Sequence, residues 1–183
     1  MEVEASCCAS PEVVSGQFWS ARQRDGHRLH EIAYRACFKP ALPRFFIERL
    51  TRPGARVYDP FMGRGTTVIE AALLGRIPAG NDRNPLARML VEPRLDPPHL
   101  EEVEARLREV YAHPPAELPK YDELLVFYHP DTLRQILVLR EWLLRREAMG
   151  HCDGIDKWIR MVACNRLTGH SPGFFSVYTL PPN

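Results

Sequence analysis

The stretch 58–67 combines an acid with two closely spaced glycines, which is the residue set of a ligand-binding loop. Asp59 stands at the end of a short β-prone segment, and Gly63 and Gly65 follow shortly after it. Glycines permit a tight turn and leave room for a ligand against the backbone. The apolar residues that follow favour a helix that ends at Gly75. The pattern therefore predicts the strand, glycine loop and helix that open a βαβ unit.

Two common phosphate-binding loops do not fit this pattern. A Walker A loop requires a lysine directly after its last glycine, and Thr66 follows Gly65 instead. A dinucleotide loop requires a third glycine three positions further on, where Val68 stands. Asp82, at the end of the next β-prone segment, is placed to hydrogen-bond a ribose diol. We therefore expect a ligand that carries adenosine without a pyrophosphate. Separately, we expect Thr66 or Thr67 to cap the helix that follows the loop.

Residues 59–67 resemble the cofactor-binding motif I of the amino-group DNA methyltransferases, which make N6-methyladenine or N4-methylcytosine. That family usually reads Asp-Pro-Phe-x-Gly-Ser-Gly-Thr-Thr, and this chain departs from it only at Arg64. Residues 80–85 resemble the motif II of the family, and residues 38–43 resemble its motif X. The resemblance covers about residues 15–95. It implies a Rossmann-like fold, S-adenosylmethionine as the cofactor and an exocyclic amino group of DNA as the methyl acceptor.

The resemblance also implies which residues form the cofactor site. Asp82 would bind the ribose, and the segment 38–40 would lie near the methionine end of the cofactor. The predicted cofactor-binding residues are Phe38, Lys39, Pro40, Asp59, Pro60, Phe61, Gly63, Gly65, Thr66, Asp82 and Asn84. The alternative interpretation is an ordinary βα turn in another kind of Rossmann-like enzyme.

The residues that would carry out the methyl transfer remain unknown from the sequence. In that family an Asp/Asn/Ser-Pro-Pro-aromatic tetrapeptide binds the target amine and stacks on the flipped base. No such tetrapeptide is present, since residues 180–183 lack both the polar acceptor and the aromatic ring. Residues 96–99 offer Asp96 and His99, but they stand where a helix cap is expected, directly after a predicted third strand. We therefore expect a fragment, or a second polypeptide that supplies the catalytic half.

Three functions are compatible with these motifs. The first is the cofactor-binding N-terminal part of a DNA methyltransferase. The second is an RNA methyltransferase, since some RNA enzymes share a similar glycine loop. The third is a non-catalytic cofactor-binding partner subunit, which the missing tetrapeptide favours.

Composition is that of a globular protein with the length of one domain. The 183 residues carry a formal net charge of +1, which argues against a generally basic nucleic-acid coat. Basic and aromatic residues are mixed over 15–56, which suits either a polyanion-binding surface or a solvated face around an aromatic core. The five cysteines lack metal-ligand spacing and suit a reducing cytoplasm, and His27 and His30 lack a third ligand. No apolar run approaches membrane-spanning length.

Three regions are predicted to position the motifs: a tail over 1–14, an α/β cofactor-binding core over 15–98 and a mainly helical extension over 99–183. In the core, the patterns predict helices over 43–50, 68–74 and 84–90 and strands over 55–57, 77–82 and 90–95. In the extension, they predict three long helices capped by Asp96, Asp131 and Asp153, and Glu102–Arg106 and Glu104–Arg108 ion pairs. The predicted fold class is α/β, with a Rossmann-like methyltransferase sheet, complete or incomplete, and a helical C-terminal part.

Overall fold

The computed structural model describes residue 15, residues 26–32, residue 34, residues 37–167 and residues 173–174. The described part of the chain is a mixed α/β structure with six α-helices and a two-stranded parallel sheet. The predicted tail over 1–14 and the tetrapeptide 180–183 lie outside the described residues. None of the helices in the described ranges has both the length and the apolar character needed to cross a bilayer.

The elements follow one another in the order helix, strand, helix, strand and then four helices. The strands are β1 (Arg56–Asp59) and β2 (Ile77–Gly80). The α-helices are α1 (Ala41–Leu50), α2 (Thr66–Leu73), α3 (Pro85–Leu95), α4 (Leu100–Ala112), α5 (Pro130–Ala148) and α6 (Gly154–Asn165). Two short 3-10 helices cover Arg28–His30 and Asp122–Val126.

The two strands and α2 form the predicted βαβ unit. β1 and β2 are parallel, and their register pairs Arg56 with Ile77 and Asp59 with Gly80. The carboxyl ends of both strands therefore lie at one edge of the sheet. The predicted strands over 55–57 and 77–82 and the helix over 68–74 are confirmed, with boundaries that shift by one or two residues.

The start of α2 differs from the prediction, because no threonine hydroxyl caps it. Gly65 occupies the cap position in the left-handed region, with φ 81°, and no side chain bonds to the free amides there. Thr66 is the first helical residue and is buried. The glycine loop thus ends earlier than expected, at Gly65, where a residue that tolerates positive φ turns the chain into α2.

The predicted third strand over 90–95 is wrong, because α3 continues as one helix to Leu95. Asn84 accepts a hydrogen bond from the Leu86 amide at 3.0 Å, and Pro85 occupies the first helical position. Both features start helices. The buried residues then recur at helical spacing, at Ala87, Leu90, Val91 and Arg94. Asp96 consequently follows the end of a helix and not the end of a third strand.

Two of the three predicted aspartate caps are wrong. His99 precedes α4, and its amide donates to Glu102 Oε2 at 2.9 Å. His129 precedes α5, because Pro130 takes the first helical position and the cap therefore lies two residues before Asp131. Asp153 caps α6 as predicted, since its Oδ1 accepts from the Asp156 amide at 2.9 Å.

The helical extension is held together by a network of ion pairs around Asp156, a fully buried residue of α6. Arg106 of α4 and Arg146 of α5 both donate to its carboxylate. Arg106 also contacts Asp153 at 2.8 Å, so the predicted Glu102–Arg106 pair does not form. The predicted Glu104–Arg108 pair is confirmed at 3.8 Å.

The extension also packs against the α/β part, through α3 and α6. Met161 of α6, Leu90 of α3 and Ile32 form one buried cluster, against which Tyr34 and Trp158 pack. The Lys157 ammonium on α6 bonds to Glu92 on α3 as well. The described parts of the predicted core and extension therefore share buried apolar residues.

Candidate functional site

The glycine loop leaves the carboxyl end of β1 in a tightly bonded turn. Asp59 Oδ1 accepts from the Phe61 amide at 3.0 Å, which fixes the entry of the loop. The Met62 amide donates to the Asn81 carbonyl at 3.0 Å, and the Asn81 amide donates to the Asp59 carbonyl at 2.9 Å. The loop is therefore tied to the end of β2 by main-chain hydrogen bonds.

Asp82 adds a side-chain tie between the two strand ends. Its Oδ2 accepts from the Gly63 amide and its Oδ1 accepts from the Asn84 amide, both at 2.8 Å. These two bonds, that from Asn84 first, lower the pKa of Asp82 below its ordinary value. The group is thus a carboxylate at neutral pH. Each oxygen of a carboxylate has two lone pairs, so each can still accept a hydroxyl.

Three glycines allow the close approaches that shape this edge. A Cβ atom at Gly65 would lie 2.4 Å from Val91 Cγ2, and one at Gly80 would lie 2.5 Å from Met62 Sδ. Gly63 has φ 50° and faces the ring of Tyr34, whose Cε1 would be 3.4 Å from such an atom. Gly65 and Gly80 therefore serve packing between elements. Gly63 instead presents its backbone towards the segment before α1, whose described residues are 26–32, 34 and 37–40.

A cavity of about 310 Å³ opens beside the loop, between β2 and α3. Met62, Val91 and Leu95 contribute apolar wall, and Asp82, Arg88 and Glu92 contribute polar groups. Its volume lies near the lower limit of small-molecule sites. The combination of an apolar wall with a carboxylate at its edge suits a flat ring joined to a sugar.

The structure brings most of the predicted site residues to this edge of the sheet, but it spreads them over different environments. Asp82 lines the 310 Å³ cavity, whereas Phe38 lines a separate groove of about 340 Å³ along α1 and β1. Phe61 is 87 % exposed. The predicted residues on the loop and the strand ends are Asp59, Pro60, Phe61, Gly63, Gly65, Thr66, Asp82 and Asn84, and those directly before α1 are Phe38, Lys39 and Pro40.

Two arginines at the site were not assigned a role by the sequence. Arg64, on the glycine loop, donates to the carbonyls of Ile32 and His30, and Arg94, in α3, donates to the carbonyl of Leu29. For Arg64, the departure from the usual serine is a signal in the sequence. For Arg94, the recurrence of buried positions along α3 becomes visible only once α3 is taken as a single helix.

A buried histidine–glutamate pair lies under the same edge. His30 Nε2 is 2.7 Å from Glu70 Oε1, and Arg44 Nε is 3.6 Å from Glu70 Oε2. His30 and Glu70 are both buried. Throughout the described ranges, no group of three or more His, Cys, Asp or Glu side chains could hold a metal ion. His30 therefore joins α2 to the segment before α1.

A strand, a glycine loop and a helix, followed by a parallel strand with an acid at its end, is an arrangement in which α/β proteins bind nucleoside cofactors. Residues 8–88 match the N6/N4 methyltransferase family model, which is described as DNA methylase. This part of the chain is similar to that family, as its motifs predicted.

Two curated relatives match a stretch of similar length. The type II methyltransferase M.MvaI of Kocuria varians is 38 % identical over 74 residues, which are 39 % of this chain and 16 % of that protein. The type II methyltransferase M.MjaII of Methanocaldococcus jannaschii is 32 % identical over 74 residues, 40 % of this chain and 14 % of that protein. The match thus spans about a sixth of these relatives. No solved structure matches the chain significantly.

Proposed function

We propose that this chain is the S-adenosylmethionine-binding part of a DNA methyltransferase that modifies an exocyclic amino group of adenine or cytosine. The observation that carries the proposal is the position of Asp82, which joins the glycine loop to the end of β2 at the edge of the 310 Å³ cavity. The match to the DNA methylase family supports DNA as the substrate. With DNA as the substrate, the protein would be located in the cytoplasm.

The residues at this edge fit such a cofactor. Asp82 would accept the ribose hydroxyls through its remaining lone pairs, and the adjoining apolar wall would receive the adenine ring. Gly63 would allow the cofactor to approach the loop backbone. The methionine end would extend towards Phe38, Lys39 and Pro40. When bound, the cofactor supplies an electrophilic methyl group, and the described residues bind and orient it.

The sheet is also proposed to be the beginning of a larger Rossmann-like sheet. β1 pairs only with β2 in the described structure, and parallel sheets are normally wider and covered on both faces. The 340 Å³ groove beside β1 exposes Phe46 and Leu50, which are 49 % and 77 % exposed. We propose that further strands, with the catalytic tetrapeptide, come from a polypeptide segment outside this sequence or from a second chain.

A non-catalytic cofactor-binding subunit is the second candidate, and the missing tetrapeptide favours it. A methylation assay with the purified chain separates the two functions. Transfer of a labelled methyl group to duplex DNA, or to structured RNA, would eliminate the non-catalytic subunit. The preferred nucleic acid in the same assay decides between a DNA and an RNA enzyme.

Calorimetric titration with S-adenosylmethionine tests the cofactor site. We expect micromolar binding, about 8 kcal/mol, that Asp82→Ala weakens roughly a hundredfold or more, because a charge-assisted acceptor is lost. Asp122→Ala, which removes an exposed carboxylate in the second 3-10 helix, is the matched control and should bind like the parent.

Because Asp82 also holds the loop, a second ligand is needed to isolate the ribose contact. We expect Asp82→Ala to lose much less affinity for a 2′-deoxyribose analogue of the cofactor than for the cofactor itself. Equal losses for both ligands would mean that Asp82 acts only on the loop. A folded parent chain that does not bind S-adenosylmethionine would refute the proposed function.

A further inference from the structure

Arg64 connects the glycine loop to the segment that precedes α1. Its Nη1 donates to the Ile32 carbonyl at 2.9 Å and to the His30 carbonyl at 3.2 Å. Its Nε lies 3.2 Å from Thr66 Oγ1, which keeps the guanidinium in line with the start of α2. A serine at this position has a single short hydroxyl and could not reach these carbonyls. The contact is therefore a property of the one residue by which this chain departs from the usual motif.

A second arginine strengthens the same connection. Arg94 of α3 is buried, and it donates to the carbonyls of Leu29, at 2.7 Å, of Leu90 and of Arg64 itself. Burial, together with the nearby charge of Arg64, lowers the pKa of Arg94 to about 10, so it remains charged at neutral pH. The two guanidiniums thus bind main-chain carbonyls in three parts of the chain: the segment before α1, the glycine loop and α3.

The tied segment lies beside the glycine loop and the buried cluster of α3 and α6. Tyr34 lies beside Gly63, and Ile32 is buried with Leu90 and Met161. A Cβ atom at Gly26 would lie 3.1 Å from the Pro40 ring, so the two ends of the segment meet at the start of α1. Gly26, four residues before His30, therefore lies beside Pro40 directly before α1.

We propose that Arg64 is a positioning residue that sets the affinity for the methionine end of the cofactor, an inference that rests on the proposed function. If the ribose is bound by Asp82 at the end of β2, and the adenine in the cavity between β2 and α3, the rest of the cofactor extends past Gly63. That direction leads to the segment that Arg64 holds. Arg64 thus acts on one end of the ligand and leaves the adenosine end unaffected.

Comparison of two ligands tests this role. S-adenosylmethionine carries the amino-acid end, and methylthioadenosine retains the adenosine and the sulfur but lacks the amino-acid end. For Arg64→Ser we expect about tenfold weaker binding of S-adenosylmethionine, equivalent to about 1.4 kcal/mol. The affinity for methylthioadenosine should change by less than about twofold. Arg108→Ala, which removes an arginine whose carboxylate partner is Glu104 of the same helix, is the matched control and should leave both affinities unchanged.

Hydrogen exchange provides a readout that does not depend on ligand binding. The amides of His30, Glu31 and Ile32 each donate within the first 3-10 helix and the residues that follow it. In Arg64→Ser these three amides should exchange faster, while amides inside α2 keep their protection. Arg64→Lys retains a cation that can reach one carbonyl, so it should show a smaller change of the same kind. If Arg64→Ser does not fold, Arg64→Lys is used in its place for both the ligand comparison and the hydrogen exchange.

The outcomes are distinct. A selective loss of S-adenosylmethionine affinity with faster exchange of the three amides supports the positioning role. An equal loss for both ligands, or unchanged affinities, overturns it even if the parent binds the cofactor well. A parent chain that binds neither ligand refutes the proposed function, and this role with it.

Discussion

Met161→Ala tests whether the helical extension and the α/β part form one cooperative structure. Met161 lies on α6 and is 2 % exposed, and its cluster partners come from α3 and from the segment before α1. The substitution removes three heavy atoms from the point where the two parts of the chain meet. It leaves the glycine loop, Asp82 and the ion pairs around Asp156 untouched.

The expected loss of unfolding free energy is about 3 kcal/mol, since methionine-to-alanine changes at buried sites cost about 2–5 kcal/mol. A value in the lower half of that range is expected, because Tyr34 and Trp158 are only partly buried and can close around the space. Against a typical total of about 5–15 kcal/mol, this loss is easily measured. The assay is urea unfolding followed both by circular dichroism and by tryptophan fluorescence, for which Trp158 is a reporter beside the cluster.

Met149→Ala is the matched control, because Met149 is 61 % exposed at the end of α5. Its effect should stay within about 0.5 kcal/mol, as for most surface substitutions. For Met161→Ala, the two spectroscopic transitions should shift together. A loss below about 1 kcal/mol, or separate transitions for the two probes, would show that the extension and the α/β part unfold independently.

Two further predictions concern the glycine loop and the acid dependence of stability. Gly65→Ala should cost clearly more unfolding free energy than Gly150→Ala and should abolish cofactor binding. Both positions have positive φ, but only the Cβ at position 65 would collide with Val91. Equal losses of unfolding free energy in urea would contradict this. Burial would raise the pKa of Asp153, but the hydrogen bonds from Arg106 and the Asp156 amide, together with the charges of Arg106 and Arg146, outweigh it and leave the pKa at about 2. Its contribution to stability is therefore present above its unfolded pKa of about 3.9 and is lost as the pH falls towards 2. Asp153→Asn should flatten the stability profile between about pH 5 and pH 2, and an unchanged acid dependence would show that the ion pair is not important.

Local patterns predicted the part of the fold that holds the site. The strand, glycine loop, helix and second strand depend on residues within about 25 positions, and their identities are decided by glycine placement and apolar runs. The prediction that a strand over 90–95 follows a short helix failed. Pro93 favours a break in the helix, and the apolar residues around it favour a strand. In the structure, burial against α2 and α6 outweighs that preference, and Pro93 is accommodated near the end of the helix.

The contacts that could not be predicted connect residues far apart in the chain. Arg64 binds carbonyls more than 30 positions before it, and Arg106 binds Asp156 50 positions after it. No local pattern separates a buried arginine that donates to carbonyls from a solvated one. The Glu102–Arg106 prediction failed for this reason, since the spacing suits a surface pair but Asp153 and Asp156 offer Arg106 a more buried one.

The two ends of the candidate site differ in how far they are organised before any ligand binds. At the ribose end, Asp82 already binds the Gly63 amide of the glycine loop and the Asn84 amide before α3, so little binding free energy would be used to order these residues. At the other end, the order depends on two arginines that donate to carbonyl groups 32 and 65 positions earlier in the chain. Because ordering costs reduce affinity, changes to these arginines should affect discrimination between ligands that differ at the methionine end. Changes to Asp82 should instead affect every ligand that carries the ribose.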